Sequence, residues 1–234
     1  MAKPTSRRGS RRVGRRAIWG LVCWLVQPLY IVVELLVAAA ASAYSLRDDT
    51  ISALGELTCS PGHFGSVVAS CSGGHVVLNA AFVLFGLLRA IGAILLRDRL
   101  EPTRWRAVAV ILWVASGTCS AAVGFAPVDQ VPSVHALVAA PVFLLQPAAV
   151  VATAIAVRRT AGLRGDVSAP GLLVAVVTVV GTLAFGLRLG QPTWVGAAER
   201  VALWPAYLWL GLVAALLART RMSAARTAAP TPLG

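Results

Sequence analysis

Apolar residues along this chain come in long unbroken runs, not in the alternation of a strand or the narrow stripe of a surface helix. Six runs stand out, at about residues 17–41, 76–96, 107–126, 134–157, 170–189 and 196–218. Each approaches or exceeds the roughly 20 residues a helix needs to cross ~30 Å of hydrocarbon. Backbone groups in lipid must be satisfied internally, and runs this long achieve that as helices, not as barrel strands. The pattern predicts an all-α, polytopic transmembrane bundle of six spans. Pro28, Pro141, Pro147 and Pro205 lie inside these runs, where they are expected to kink helices without breaking them.

The segments outside the runs define the remaining organisation. Residues 1–16 carry Lys3, Arg7, Arg8, Arg11, Arg12, Arg15 and Arg16 with no acid. Such a block is expected to be disordered and drawn to anionic headgroups. Ala41, Ser42 and Ala43 resemble a signal-peptide cleavage site. A signal core is about 7–15 residues long, however, and the first run is far longer and holds Gln27, Pro28 and Glu34. It reads as a retained first span of a 17–218 membrane domain. The tail, residues 219–234, is rich in Ala, Thr, Pro and Arg and is expected to be disordered. No internal repeat accompanies the three helix pairs, so an inverted-repeat transporter is not indicated.

Composition narrows the class. The chain is 58% hydrophobic and 13% charged, with mean hydropathy +0.78, whereas soluble domains run at about 25% charged. Its bias toward Arg, Ala, Val and Leu hints at a GC-rich bacterial genome. The net charge of +12 raises nucleic acid as a partner, but the basic residues flank apolar runs, where a membrane explains them better. No nucleic-acid partner is expected. One set of loops holds the N-terminal cluster, Arg97, Arg99, Arg104, Arg106, Arg158, Arg159, Arg164, Arg219, Arg221 and Arg226. The opposite set holds Arg47, with Arg188 and Arg200 at helix ends. The positive-inside rule therefore places both termini in the cytoplasm of a multi-pass cell-membrane protein.

Chemistry is confined to a few places. The largest outer loop, residues 42–75, contains Asp48, Asp49, Ser52, Glu56, Cys59, His63 and Cys71. A Cys59–Cys71 disulfide is the simple reading in an oxidising compartment, with a metal site using these cysteines and His63 or His75 as the alternative. Within the runs, three polar stripes follow helical spacing: Gln27, Tyr30 and Glu34; His75, Asn79, Phe82, Gly86 and Arg89; and His135, Ala139, Val142 and Gln146. Charge inside a span costs at least ~2.5–3.5 kcal/mol, so these stripes are expected to face the bundle interior. Arg89, nearer the cytoplasmic side, is expected to snorkel.

Several polar residues also share one depth, near the outer surface: Glu34, Ser52, His75, Asn79, Asp129, His135, Arg188, Glu199 and Arg200. Adjacent helical residues point about 100° apart, so Glu199 is expected to pair with Arg188, and Arg200 with Asp129 or Glu34. Three readings fit the cluster: an ion-pair network closing the bundle, a pocket for a small molecule or lipid headgroup, or a catalytic site. In the last, His75, His135 and Asp129 hold a zinc ion, with Ser52 or a water as nucleophile. That version makes the chain a metal-dependent hydrolase or transferase acting on lipid. No Walker loop, dinucleotide fingerprint or nucleophile elbow is present, and otherwise no cofactor is expected. Oligomeric state is left open.

These residues carry a resemblance. Ile51, Ser52, Ala53, Leu54 and Gly55 follow the first run, and Cys71 and Ser72 precede His75, Asn79, Phe82 and Gly86. Gly124, Phe125, Ala126, Pro127, Val128 and Asp129 precede His135 and Ala136, and Glu199 with Arg200 opens the last run. In order and spacing the chain resembles the bacterial six-helix membrane family known as domain of unknown function 998, from about residue 17 to 218. It departs from that pattern by lacking a proline in the stretch Cys71, Ser72, Gly73. The resemblance implies six helices and no established activity.

Overall fold

A computed structural model describes residues 7–58, 73–158 and 168–227. Among these residues there is no strand, and six helices are long and apolar enough to cross a membrane. The helices are α1 (Arg7–Leu25), α2 (Leu29–Ala40), α3 (His75–Leu96), α4 (Arg104–Val123), α5 (Pro132–Arg158), α6 (Ser168–Arg188) and α7 (Val195–Thr227). Short 3-10 turns cover Ile51–Gly55 and Arg97–Arg99. Arg7 to Arg16 and Arg219 to Thr227 are helical where the sequence suggests disorder. Arg and Ala are strong helix formers, and adding residues to an existing helix costs far less than starting one.

The first span, Gly14–Ala40, is two helices, contrary to the expectation that its proline would only bend it. Around Pro28 the backbone closes tighter turns, such as Leu29 N–H to Val26 O at 2.9 Å. The Gln27 amide donates to Cys23 O, which the Gln27 N–H has left for Trp24 O, and to Phe85 O of α3, both at 3.2 Å. Pro141, Pro147 and Pro205 stay within continuous helices, as expected.

The spans follow one another around the bundle in chain order and close the circle where α1 meets both α3 and α7. The polar stripes point inward: Gln27, Tyr30, Glu34, Arg89 and Gln146 are all buried. Leu36, Ile111, Leu137, Leu183 and Leu187 lie exposed on the outside, where lipid tails would cover them. One half of the core packs around Trp24, Trp113 and Trp209; the other packs around Tyr30, Phe82, Phe85 and Tyr207. Tyr30 stacks on Tyr207 at 4.7 Å. Two of these core indoles donate within the bundle, Trp24 to Arg89 O at 3.1 Å and Trp113 to Thr153 Oγ1 at 2.8 Å.

Arg89 does not snorkel. Its side chain is fully buried, donating to Ser116 Oγ at 3.2 Å and lying 4.6 Å over the Tyr207 ring. The inward stripe puts the guanidinium among neighbouring helices, where one hydroxyl and one aromatic face are its partners.

Candidate functional site

The chain leaving α2 crosses one end of the bundle, and the polar residues of that end fasten it down. Arg200 of α7 gathers several of these contacts on one side chain. Its Nη1 donates to Leu46 O at 2.7 Å, Asp49 O at 3.1 Å and Gly196 O at 3.0 Å. Its Nη2 donates to the Tyr44 hydroxyl at 2.6 Å, and its Nε pairs with Glu34 Oε1 at 2.9 Å. Glu199, one residue earlier, points elsewhere and accepts the Ile51 N–H at 2.6 Å. On the far side, Asn79 Nδ2 donates to Gly55 O at 2.8 Å. Asp129 Oδ2 accepts the Leu57 and Thr58 N–H groups, at 3.1 and 2.9 Å, and the Thr58 hydroxyl at 2.8 Å. Thr50 caps the Ile51–Gly55 turn through Ala53 N–H.

Two residues in this region hold left-handed backbone, Ala43 (φ 57°) and Trp194 (φ 67°). Such conformations cost about 1–3 kcal/mol and persist where surroundings over-determine them. At Trp194 those surroundings are Asp48, which accepts its N–H at 3.0 Å, and Arg47, which lies 5.5 Å over its ring.

The fastened turn presents Ser52 to His135 of α5, with Oγ and Nε2 3.0 Å apart. His135 Nδ1 lies 2.7 Å from Ala126 O. Beside this pair a cavity of about 280 Å³ runs between α5 and α6. Its polar end is formed by Thr50, Ser52, His135 and Glu199. Its walls are apolar, chiefly Ala139, Ala140, Phe143, Leu144, Phe185 and Leu189. Phe143 and Phe185 stack at 4.8 Å, while Ala140, Leu144, Gly186 and Leu189 are exposed on the bundle's outer surface. The cavity is therefore a groove that opens sideways.

Of the residues singled out in the sequence, Ser52, His135 and Glu199 line the groove, while Glu34, Asn79, Asp129 and Arg200 hold the turn that supplies Ser52. The Arg200–Glu34 pair matches expectation. The Glu199–Arg188 pair does not: Glu199 takes a backbone N–H, and Arg188 lies exposed at the end of α6. His75 opens α3 away from the groove lining. Among the described residues no three His, Cys, Asp or Glu side chains form a metal-binding group. The set His75, Asp129 and His135 is thus not gathered into one group: His135 is turned to Ser52 and Ala126 O, and Asp129 Oδ2 holds the loop. Cys59, His63 and Cys71 lie outside the described residues. Thr50, Phe143, Thr182, Phe185 and Gly186 line the groove without having been anticipated, since which spans adjoin is not written in any one run.

Electrostatics of the loop follow from these contacts. The Arg47 hydrogen bond, with the Trp194 N–H behind it, holds the Asp48 carboxyl down at about 2. Burial pushes the Asp129 carboxyl up, but donors from Gln130, Thr58 and Leu57 outweigh it and lower the value. Glu56 has no such donors among the described residues: burial, then the nearby Asp129 and Asp49 charges, push it up to about 7 from 4.5. Between those two values the folded chain holds a proton that the unfolded chain has released. Stability should therefore fall as pH rises from about 4.5 to 7, then level off. Thermal unfolding at pH 5 and 7.5 checks this, because Glu56→Gln should flatten the slope. Equal slopes for wild type and variant would remove Glu56 as its source.

A ring of membrane-length helices with a polar loop fastened across one end defines a polytopic membrane protein. The family model described as protein of unknown function (DUF998) matches residues 22–216, and the chain belongs to that family. No curated protein and no solved structure matches it.

Proposed function

We propose that the chain binds an amphipathic, lipid-like molecule, its apolar part in the groove between α5 and α6 and its polar end at Ser52, His135 and Glu199. The observation that carries this reading is the groove itself: apolar walls open to the lipid-facing surface, ending on buried Thr50, His135 and Glu199 and half-buried Ser52. Ligand sites of this kind combine an apolar lining with a few placed polar groups and span about 300–1,000 Å³. At about 280 Å³ this one suits a single chain or small amphipath better than a whole two-chain lipid. The basic residues Arg97 and Arg99 follow α3 and Arg104 and Arg106 open α4, at the opposite end of those helices from the loop. By the positive-inside rule this supports an outward-facing groove, with both termini cytoplasmic. No metal is needed.

The test uses the purified full-length protein and a phospholipid with a photoactivatable acyl chain. Labelling should concentrate on α5 and α6 around residues 136–144 and 182–189. Gly186 lines the groove and a Cβ built on it meets nothing within 4 Å, so Gly186→Trp introduces its bulk at the groove without a clash at its root. Excluding two methylenes costs about 1.6 kcal/mol, or roughly tenfold in affinity. Labelling spread evenly over the outer surface, and unchanged in Gly186→Trp, would sink the proposal.

A further inference from the structure

We propose that Ser52 and His135 are a nucleophile and general base for acyl transfer, acting on a carboxylic ester whose acyl chain occupies the groove. This rests on the groove being an acyl-chain site, and adds a reaction to it. The hydrogen bonds fix the direction of proton flow. A carbonyl oxygen only accepts, so the 2.7 Å contact with Ala126 O means that His135 Nδ1 carries a hydrogen. In the neutral ring Nε2 then holds the lone pair, and the Ser52 hydroxyl donates to it across 3.0 Å. Nucleophilic serines are activated in this way, by a base within reach that a third group orients. Here the third group is a backbone carbonyl.

Two further observations set this pair apart from a hydrogen bond that merely satisfies a buried imidazole. Both residues line the groove, so an ester carbonyl at its polar end would lie against Ser52 Oγ. The turn carrying Ser52 is also held from four sides, through Ile51 N–H by Glu199, Ala53 N–H by Thr50, Gly55 O by Asn79, and Leu57 and Thr58 by Asp129. Such support keeps a reacting group within the fraction of an ångström that catalysis requires.

The chemistry balances without a metal. Ser52 Oγ bonds to the ester carbonyl carbon while its proton moves to His135 Nε2. The bond from that carbon to the alcohol oxygen breaks, and the departing alcohol takes the proton from Nε2. Water, or a second alcohol, then gives its proton to Nε2 and attacks the acyl-serine. The acyl group leaves as an acid or a new ester, and the proton returns to Ser52 Oγ.

The experiment treats the full-length protein in mild detergent with a long-chain alkyl fluorophosphonate, a reagent that modifies activated serines, and reads the adduct by peptide mass spectrometry. The expected adduct is on Ser52, absent in Ser52→Ala. General-base assistance is worth about 10²–10⁴-fold, so His135→Gln should slow labelling by roughly that factor, and the wild-type rate should rise with pH as the imidazole loses its proton. Folded wild type with no Ser52 adduct overturns the proposal without recourse to any variant. So does an adduct whose rate ignores both His135→Gln and pH. If the photoactivatable lipid still labels the groove while Ser52 stays unmodified, the chemistry fails and the binding site stands. If neither reagent reacts there, both readings fall.

Discussion

Replacing Arg200 with alanine is expected to cost on the order of 3–5 kcal/mol, the range for removing one partner of a buried ion pair. Its partner Glu34 is 0% exposed and would keep only the Trp204 indole N–H, at 3.0 Å. Leu46 O, Asp49 O, Gly196 O and the Tyr44 hydroxyl lose the same donor group together. Arg200→Lys keeps the charge but not the planar fork that reaches these acceptors at once, so it should fall between wild type and alanine. Adding Glu34→Gln to Arg200→Ala removes the stranded charge and should recover part of the loss. Tryptophan-fluorescence melts in detergent measure all four proteins. An Arg200→Ala variant that melts with the wild type would mean that this residue does not hold the loop. The same variant should lose fluorophosphonate labelling of Ser52 if the loop must be fastened for the serine to meet its histidine.

How much of this was legible beforehand depends on the scale of the feature. Span positions came from run length alone, because lipid leaves the backbone one economical solution. Interior stripes came from helical spacing, and Glu34 with Arg200 from shared depth and opposite charge. What failed depended on which neighbour a helix meets. Pro28 breaks its span while Pro205 does not, and the difference lies in Gln27 reaching Phe85 O and in Pro28 packing against Gly211. Arg89 was expected to reach for the membrane surface, yet Ser116 and Tyr207 on two other helices receive it. Ser52 and His135 were both placed at the outer end, and depth could not say that they touch. The charge of Glu199 suggests a charged partner, whereas the turn offers it the Ile51 N–H. The groove had no signature at all: Phe143 and Phe185 are ordinary apolar residues until α5 and α6 lie side by side.

The second large effect concerns how closely α3 and α4 approach. A Cβ built on Gly86 would stand 2.5 Å from Gly117 O and 2.7 Å from Ala121 N, and one on Gly117 would stand 2.5 Å from Gly86 O. These neighbours are backbone atoms, which cannot rotate aside, so any side chain must push the helices apart. Small residues at such crossings are what let membrane helices associate, since apolar side chains gain little by leaving lipid. Gly86→Ala is therefore expected to destabilise by about 1–3 kcal/mol through overpacking, although alanine favours a helix by about 1 kcal/mol over glycine. Gly86→Leu should cost more and disrupt the bundle. At Gly186, where a Cβ meets nothing, Gly→Ala keeps only the propensity gain and should be neutral or stabilising. The same substitution thus has opposite signs at two glycines of one protein. The consequence reaches the site, because Asn79, which holds Gly55 O, sits on α3 where its own backbone carbonyl lies against Gly124. Spreading α3 from α4 moves Asn79 and loosens the turn that carries Ser52. Gly86→Ala should then lose Ser52 labelling at temperatures where the protein remains folded. If it melted early yet labelled normally until unfolding, the α3–α4 contact would support the fold without positioning the serine.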